Sequence, residues 1–155
     1  MESEVQHILS LLKRTFGQKA WHGPTVMETF ENLRPDQVFN RLPNTHSIIE
    51  LVAHMTAWRN YITRKLKGDS EYKVTDDLNF PHVENWDDTV KALHASQDEL
   101  LAAIEAFAPA DLMQQVPWTD ESLTYYTILH GIIHHDLYHI GQINLIRKTG
   151  LAQPL

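Results

Sequence analysis

Cysteine is absent from all 155 residues. That excludes disulfides, thiolate metal sites and a cysteine nucleophile. Basic residues are scarce: 13 Lys and Arg stand against 20 Asp and Glu, for a formal net charge of −7. Chains that track a phosphate backbone or an anionic membrane show a basic face. No basic run occurs here, so neither nucleic acid nor membrane is an expected partner. Long apolar runs are missing too; none approaches the ~20 residues needed to cross a bilayer. The opening Met1-Glu2-Ser3-Glu4 lacks the basic-then-apolar pattern of a secretory signal. A cytoplasmic location is the expectation. No segment sustains strict alternation of apolar and polar residues between turn signals, so no strand is predicted.

What the chain has instead is histidine, 10 residues of it, the commonest metal-ligating side chain. It also has enough length for one domain, residues 1–155, with a core of its own.

Most of that length reads as helix. Val5, Ile8, Leu9, Leu12 and Phe16 recur at helical spacing from Ser3 to Phe16, with Gly17 as the stop. After Trp21-His22-Gly23-Pro24, a short helix is predicted over Val26 to Leu33, then a turn at Arg34-Pro35-Asp36. Ser47 and Glu50 form a capping-box pattern that opens a second long helix running to Lys67, where Gly68 supplies the cap. Asp69 to Val83 reads as irregular. A third long helix spans Trp86 to Phe107 and ends at Pro109. Leu112 to Glu121 is a connection broken by Pro117, and a last helix runs from Thr124 to Lys148, with Gly150 beyond it. Four amphipathic helices joined by long connections predict an all-α four-helix bundle.

The last helix carries His130-Gly131-Ile132-Ile133-His134-His135-Asp136-Leu137-Tyr138-His139. His130 with His134, and His135 with His139, are both four apart, close enough for one ion. Spacing permits either pair, and helical phase separates them. With His130 at zero, His135 and His139 fall at roughly 140° and 180°, among Ile128, Ile132, Ile143 and Ile146. His130 and His134 fall on the opposite side with Lys148, the side expected to face solvent. Buried imidazoles need partners, which makes His135 and His139 the sharper metal candidates. Gln142 lies on the rim of their face, placed to contact a ligand or a water. Asp136 lies on the apolar side as well, where an ion pair, an interface or support of a metal ligand are all open readings. On the second long helix, His54 sits at the edge of an apolar arc that contains Ile48, Leu51, Val52, Met55, Trp58 and Ile62. Neighbouring helices could bring it opposite the pair. A lone core-facing histidine is more often hydrogen-bonded than ligating, so a bundle without metal stays open at this point. Trp21, Trp58, Trp86 and Trp118 read as core or pocket-wall residues, and His46 as a local packing residue.

Three stretches together resemble a known family. Trp21-His22-Gly23-Pro24, then His46 to His54 with Ala57-Trp58-Arg59, then His130 to Ile143, are similar in order and spacing to the DinB-like (DinB/YfiT) superfamily. The last stretch is the most specific. The resemblance implies a four-helix bundle with a divalent metal held by one histidine of the second long helix and an HxxxH pair of the last. These positions are His54, His135 and His139. It also implies a homodimer. Relatives include thiol transferases that use bacillithiol, mycothiol or glutathione, a maleylpyruvate isomerase, and proteins described only as metal-dependent hydrolases.

The functional expectation is a metal-dependent enzyme acting on a small-molecule substrate. It would be a thiol (S-)transferase or a hydrolase using metal-activated water. Three imidazoles suit zinc or nickel foremost, then iron, copper or manganese. Since the chain lacks cysteine, any thiol must arrive as a low-molecular-weight cosubstrate. Gln142, Trp58, Trp21 and His22 are the expected pocket residues. The rival reading is a non-catalytic stress-response bundle that binds a metal or small ligand.

Overall fold

A computed structural model describes residues 3–31, 33–117 and 123–149. Its first helix, α1 (Glu4–Phe16), starts where Ser3 Oγ accepts the Gln6 N–H, and buries Val5, Ile8, Leu9, Leu12 and Phe16. The short α2 (Val26–Phe30) is held by a reciprocal cap: Thr25 N–H donates to Glu28 Oε2 at 2.8 Å, and Glu28 N–H to Thr25 Oγ1 at 3.2 Å. It ends before the Leu33 expected from the sequence.

Next comes α3 (Ile48–Leu66), one residue inside the expected ends. Ser47 N–H and Oγ–H both donate to Glu50 Oε2 at 2.7 Å, which fixes the start of the helix. Gly68 lies just past its end at φ +85°, a left-handed backbone that other residues adopt at a cost. The segment expected to be irregular contains one helical turn, α4 (Asp76–Asn79), with no buried residue of its own. Thr75 precedes two aspartates there, which suits a helix start, but the turn has no apolar stripe by which periodicity could reveal it.

The third long helix, α5 (Trp86–Glu105), is capped by Asn85 Oδ1 accepting the Asp88 N–H. A 3₁₀ turn at Pro109–Asp111 leads on, and Gln115 and Thr124 meet in a single antiparallel bridge. No strand forms among the described residues. The final helix is α6 (Tyr125–Thr149). The expectations for Trp118, the end of the connection at Glu121 and the stop at Gly150 lie outside the described residues.

The long helices form a ring: α1 packs on α5 and α6, and α3 packs on the same two. The interior holds two apolar clusters. One gathers Ile8, Leu12, Ile62, Leu100, Ile104, Leu129 and Ile132. The other gathers Ile48, Val52, Met55, Leu93, Ile140 and Ile143. On α6 the break between the clusters falls from His134 to His139, and on α3 it falls between Met55 and Ile62. Both helices therefore bring their polar residues to one level of the bundle. None of the helices described is long and apolar enough to cross a membrane.

Candidate metal centre

At that level three imidazoles from two helices converge. His54 Nε2 lies 3.0 Å from His135 Nε2, and His139 Nε2 lies 3.1 Å from the same atom. Two nitrogens bound to one tetrahedral ion at 2.0–2.1 Å would stand about 3.3 Å apart. The observed spacing is close to that. Helical pitch sets the His135–His139 pair, four residues apart on α6; the packing of α3 on α6 supplies His54. His54 and His139 are buried, at 7 % and 5 % exposure, and His135 is half-buried.

Hydrogen bonds fix which nitrogen of each ring carries the proton. His54 Nδ1–H donates to the Asn79 carbonyl at 2.8 Å. His139 Nδ1–H donates to Gln142 Oε1 at 2.7 Å. Both rings therefore present a bare Nε2 lone pair to His135. If His135 carries its proton on Nε2, it can donate well to only one of them. If the proton is on Nδ1, that buried atom has no partner among the described residues, and three lone pairs then face one another. Either way the cluster is short of a positive centre, which is the electrostatic environment a cation satisfies.

The rings are held neutral, as metal ligands must be. Burial pushes His135 down to about 3, with His139, His54 and Arg59 adding to the effect. Burial pushes His139 down to about 4, opposed by its bond to Gln142. His54 is lowered by burial as well, against the pull of Asn79. Among the described residues no fourth histidine, aspartate or glutamate joins the group.

Aromatic rings build the walls. Phe80 stacks flat on His54, with centroids 4.2 Å apart and planes 7° apart, and His46 stacks on the far side of Phe80 at 3.5 Å and 6°. Trp58 approaches His54 edge-on at 6.3 Å and His135 at 6.0 Å. Tyr138, 64 % exposed, stands against His139 at 5.0 Å.

Below the histidines, Asp136 is fully buried and meets the equally buried Arg59: Arg59 Nη2 donates to Asp136 Oδ2 at 2.6 Å. Arg59 Nε donates to Gln97 Oε1 and its Nη1 to the Met55 carbonyl, tying α3, α5 and α6 together. Burial raises the Asp136 carboxyl, to about 6, while Arg59 draws it the other way. Of the readings open for Asp136, the ion pair is the one found.

The structure thus brings His54, His135, His139, Gln142 and Trp58 together. It does not bring Trp21 or His22 to them. Trp21 is 95 % exposed on the loop between α1 and α2, and neither ring contacts the three histidines. The expectation that Trp21 is a core or pocket-wall residue therefore does not hold for the single chain. His130 and His134 stay off the cluster; His130 Nε2 lies 3.3 Å from Glu4 Oε1 and His134 is exposed. Sequence reasoning missed Asn79, Phe80 and the stacking role of His46. The only signal for the first two was position, just before Pro81 in a segment without apolar period.

No curated protein matches the chain. The model of the DinB superfamily matches residues 18–143, a span that contains His54, His135 and His139. With the helical bundle and the histidine group already placed, that match is sufficient: the chain belongs to the DinB superfamily.

Proposed function

We propose that this protein is a metal-dependent enzyme whose divalent ion is held by His54, His135 and His139. The observation that carries the reading is the convergence of three Nε2 atoms with two Nδ1–H groups already committed elsewhere. A bound divalent ion would supply Lewis-acid chemistry, making an incoming water or thiol more acidic at neutral pH. The donor set is all imidazole, which suits zinc or nickel foremost, with iron, copper or manganese as further candidates. Three protein donors, with no fourth histidine, aspartate or glutamate among the described residues, leave room for a small molecule, as catalytic sites do and closed structural sites do not. Trp58, Phe80 and Tyr138 border the histidines with apolar surface that limits water and offers an organic substrate a contact face.

Transfer of a thiol to an electrophile is the preferred reaction, and hydrolysis the next. The thiol would be a low-molecular-weight cosubstrate, because the chain has no cysteine. The test is a screen of small thiols with a generic electrophile, run on metal-loaded and metal-stripped protein. Faster turnover by the loaded form, lost in His139→Ala, supports transfer. Equal rates for the two forms across thiols and ester substrates would instead favour the non-catalytic binding module.

The same reading includes a homodimer, formed through the exposed side of α6. From Tyr125 to Ile146 the one Asp, Glu, Lys or Arg is Asp136, and it is buried. Tyr138, Leu145 and Tyr126 are exposed there at 64 %, 54 % and 39 %. Gly131 and Gly141 lie mid-helix, where glycine costs roughly 1 kcal/mol relative to alanine. A methyl group on either would meet nothing within 4 Å, so no described residue of this chain requires the space. In a protein of net charge −7, a neutral face is where a second copy meets least repulsion.

A further inference from the structure

We infer that Asn79 is a positioning residue for the metal centre, and that it works by clamping His54 and Trp58 from outside the bundle. The inference rests on the metal reading above. Asn79 makes two bonds with two different parts of itself. Its backbone carbonyl accepts the His54 Nδ1–H at 2.8 Å, and its side-chain Oδ1 accepts the Trp58 Nε1–H at 3.0 Å. His54 and Trp58 are one turn apart on α3, so one residue grips two successive side chains of the same helix face.

The carbonyl contact decides chemistry. By taking the Nδ1 proton it leaves Nε2 bare and turned towards His135. The side-chain contact decides where that carbonyl is. α4 buries none of its residues, and α3 is the long helix it packs against. Its position therefore comes from contacts at its C-terminal end, where Phe80 packs against the second apolar cluster. Those contacts are the Trp58 indole N–H and the insertion of Phe80 between His54 and His46. Without the indole bond, the carbonyl that orients His54 would be held through the Phe80 stack alone. His135 and His139 share α6 and do not depend on this segment. His54 does, so closure of the α4 segment and metal binding are linked, and each favours the other.

The test uses zinc titration of the metal-stripped, untagged full chain, together with the ¹⁵N imidazole spectrum of the zinc-free protein. Asn79→Ala should lower zinc affinity roughly 10-fold or more, the usual range for partners of metal-bound histidine. Asn79→Asp keeps an acceptor for the indole and should stay within about 3-fold of wild type. Trp58→Phe should resemble Asn79→Ala, and the double variant should be no worse than either alone, because both remove one bond. In the zinc-free spectrum, His54 should be the Nδ1–H tautomer in wild type and mixed in Asn79→Ala, while His139, held by Gln142, should keep its Nδ1–H tautomer in both and so show that the variant is folded. Asn79→Ala binding zinc as wild type does, with His54 still in one tautomer, would overturn the clamp. Additive losses in the double variant would overturn it too. If wild type binds no zinc, the metal reading fails, and an unchanged tautomer in Asn79→Ala then rejects the clamp by itself.

Discussion

Arg59 and Asp136 face each other at 2.6 Å with neither side chain exposed to solvent. They stand at the junction of the two apolar clusters, and Asp136 is the residue next to His135. Such a pair is costly to bury and costlier to break, because a charge left alone inside the protein has no water to fall back on. Asp136 Oδ1 and Gln97 Nε2 have no hydrogen-bond partner among the described residues. Asp136→Ala should destabilise the fold by about 3–5 kcal/mol. Replacing both partners, as Arg59→Met with Asp136→Leu, should recover most of that loss. Urea unfolding of the three proteins measures it. A double variant as unstable as the single would mean that the pair matters through its shape and not its charge.

The depressed histidines make the metal-free fold sensitive to acid. Unfolded histidine takes up a proton near pH 6.5, whereas His135 is held down to about 3 and His139 to about 4 by burial. Below pH 6.5 the unfolded state therefore binds protons that the folded state refuses. Their contribution to stability is complete above pH 6.5 and is lost progressively as the pH falls towards 4. The slope is at most about 1.4 kcal/mol per pH unit for each histidine. Urea midpoints of stripped protein at pH 7.5, 6 and 5 should decline. The decline should be shallower in His135→Gln, and an equal decline in that variant would contradict the assignment.

The long helices were legible in the sequence because each carries an apolar stripe with a cap at one end. Ser47 with Glu50 marked the start of α3 to within one residue. Helical phase was enough to turn His135 and His139 inward and to leave His134 outside. Phase could not settle His54, which sits at the edge of its arc, because its placement depends on how α3 crosses α6. Asn79 and Phe80 were invisible for a different reason. They act through a carbonyl, an amide and a ring face on a turn with no buried residue, and no periodic pattern encodes that. The exposure of Trp21 was missed because an aromatic residue was read as core or pocket wall by default.

The neutral side of α6 gives a test of assembly. Leu145→Glu and Tyr138→Glu place a carboxylate on a face that carries no exposed Asp, Glu, Lys or Arg before Arg147. Both positions are exposed, so the monomer should fold normally. In sedimentation equilibrium the wild-type protein should have twice the mass of the chain, and each variant should shift to the single-chain mass. Variants that remain dimeric would place the interface elsewhere.

The three histidines are not equivalent in origin. His135 and His139 belong to one helix, while His54 arrives by tertiary packing. His54→Ala should therefore leave an i,i+4 pair with residual affinity, weaker than wild type by tenfold or more. His139→Ala leaves two imidazoles on separate helices and should lose at least as much. Competition against a zinc chelator ranks the two, and a His54→Ala variant with undiminished affinity would remove α3 from the site.

The most direct measurement is the metal content of untagged protein, made beside its His135→Ala, His139→Ala double variant. The expected result is about one divalent ion per chain in the wild type and none in the variant, with both proteins helical by circular dichroism. A folded double variant that retains the full complement of metal would contradict the assignment of these imidazoles as its ligands.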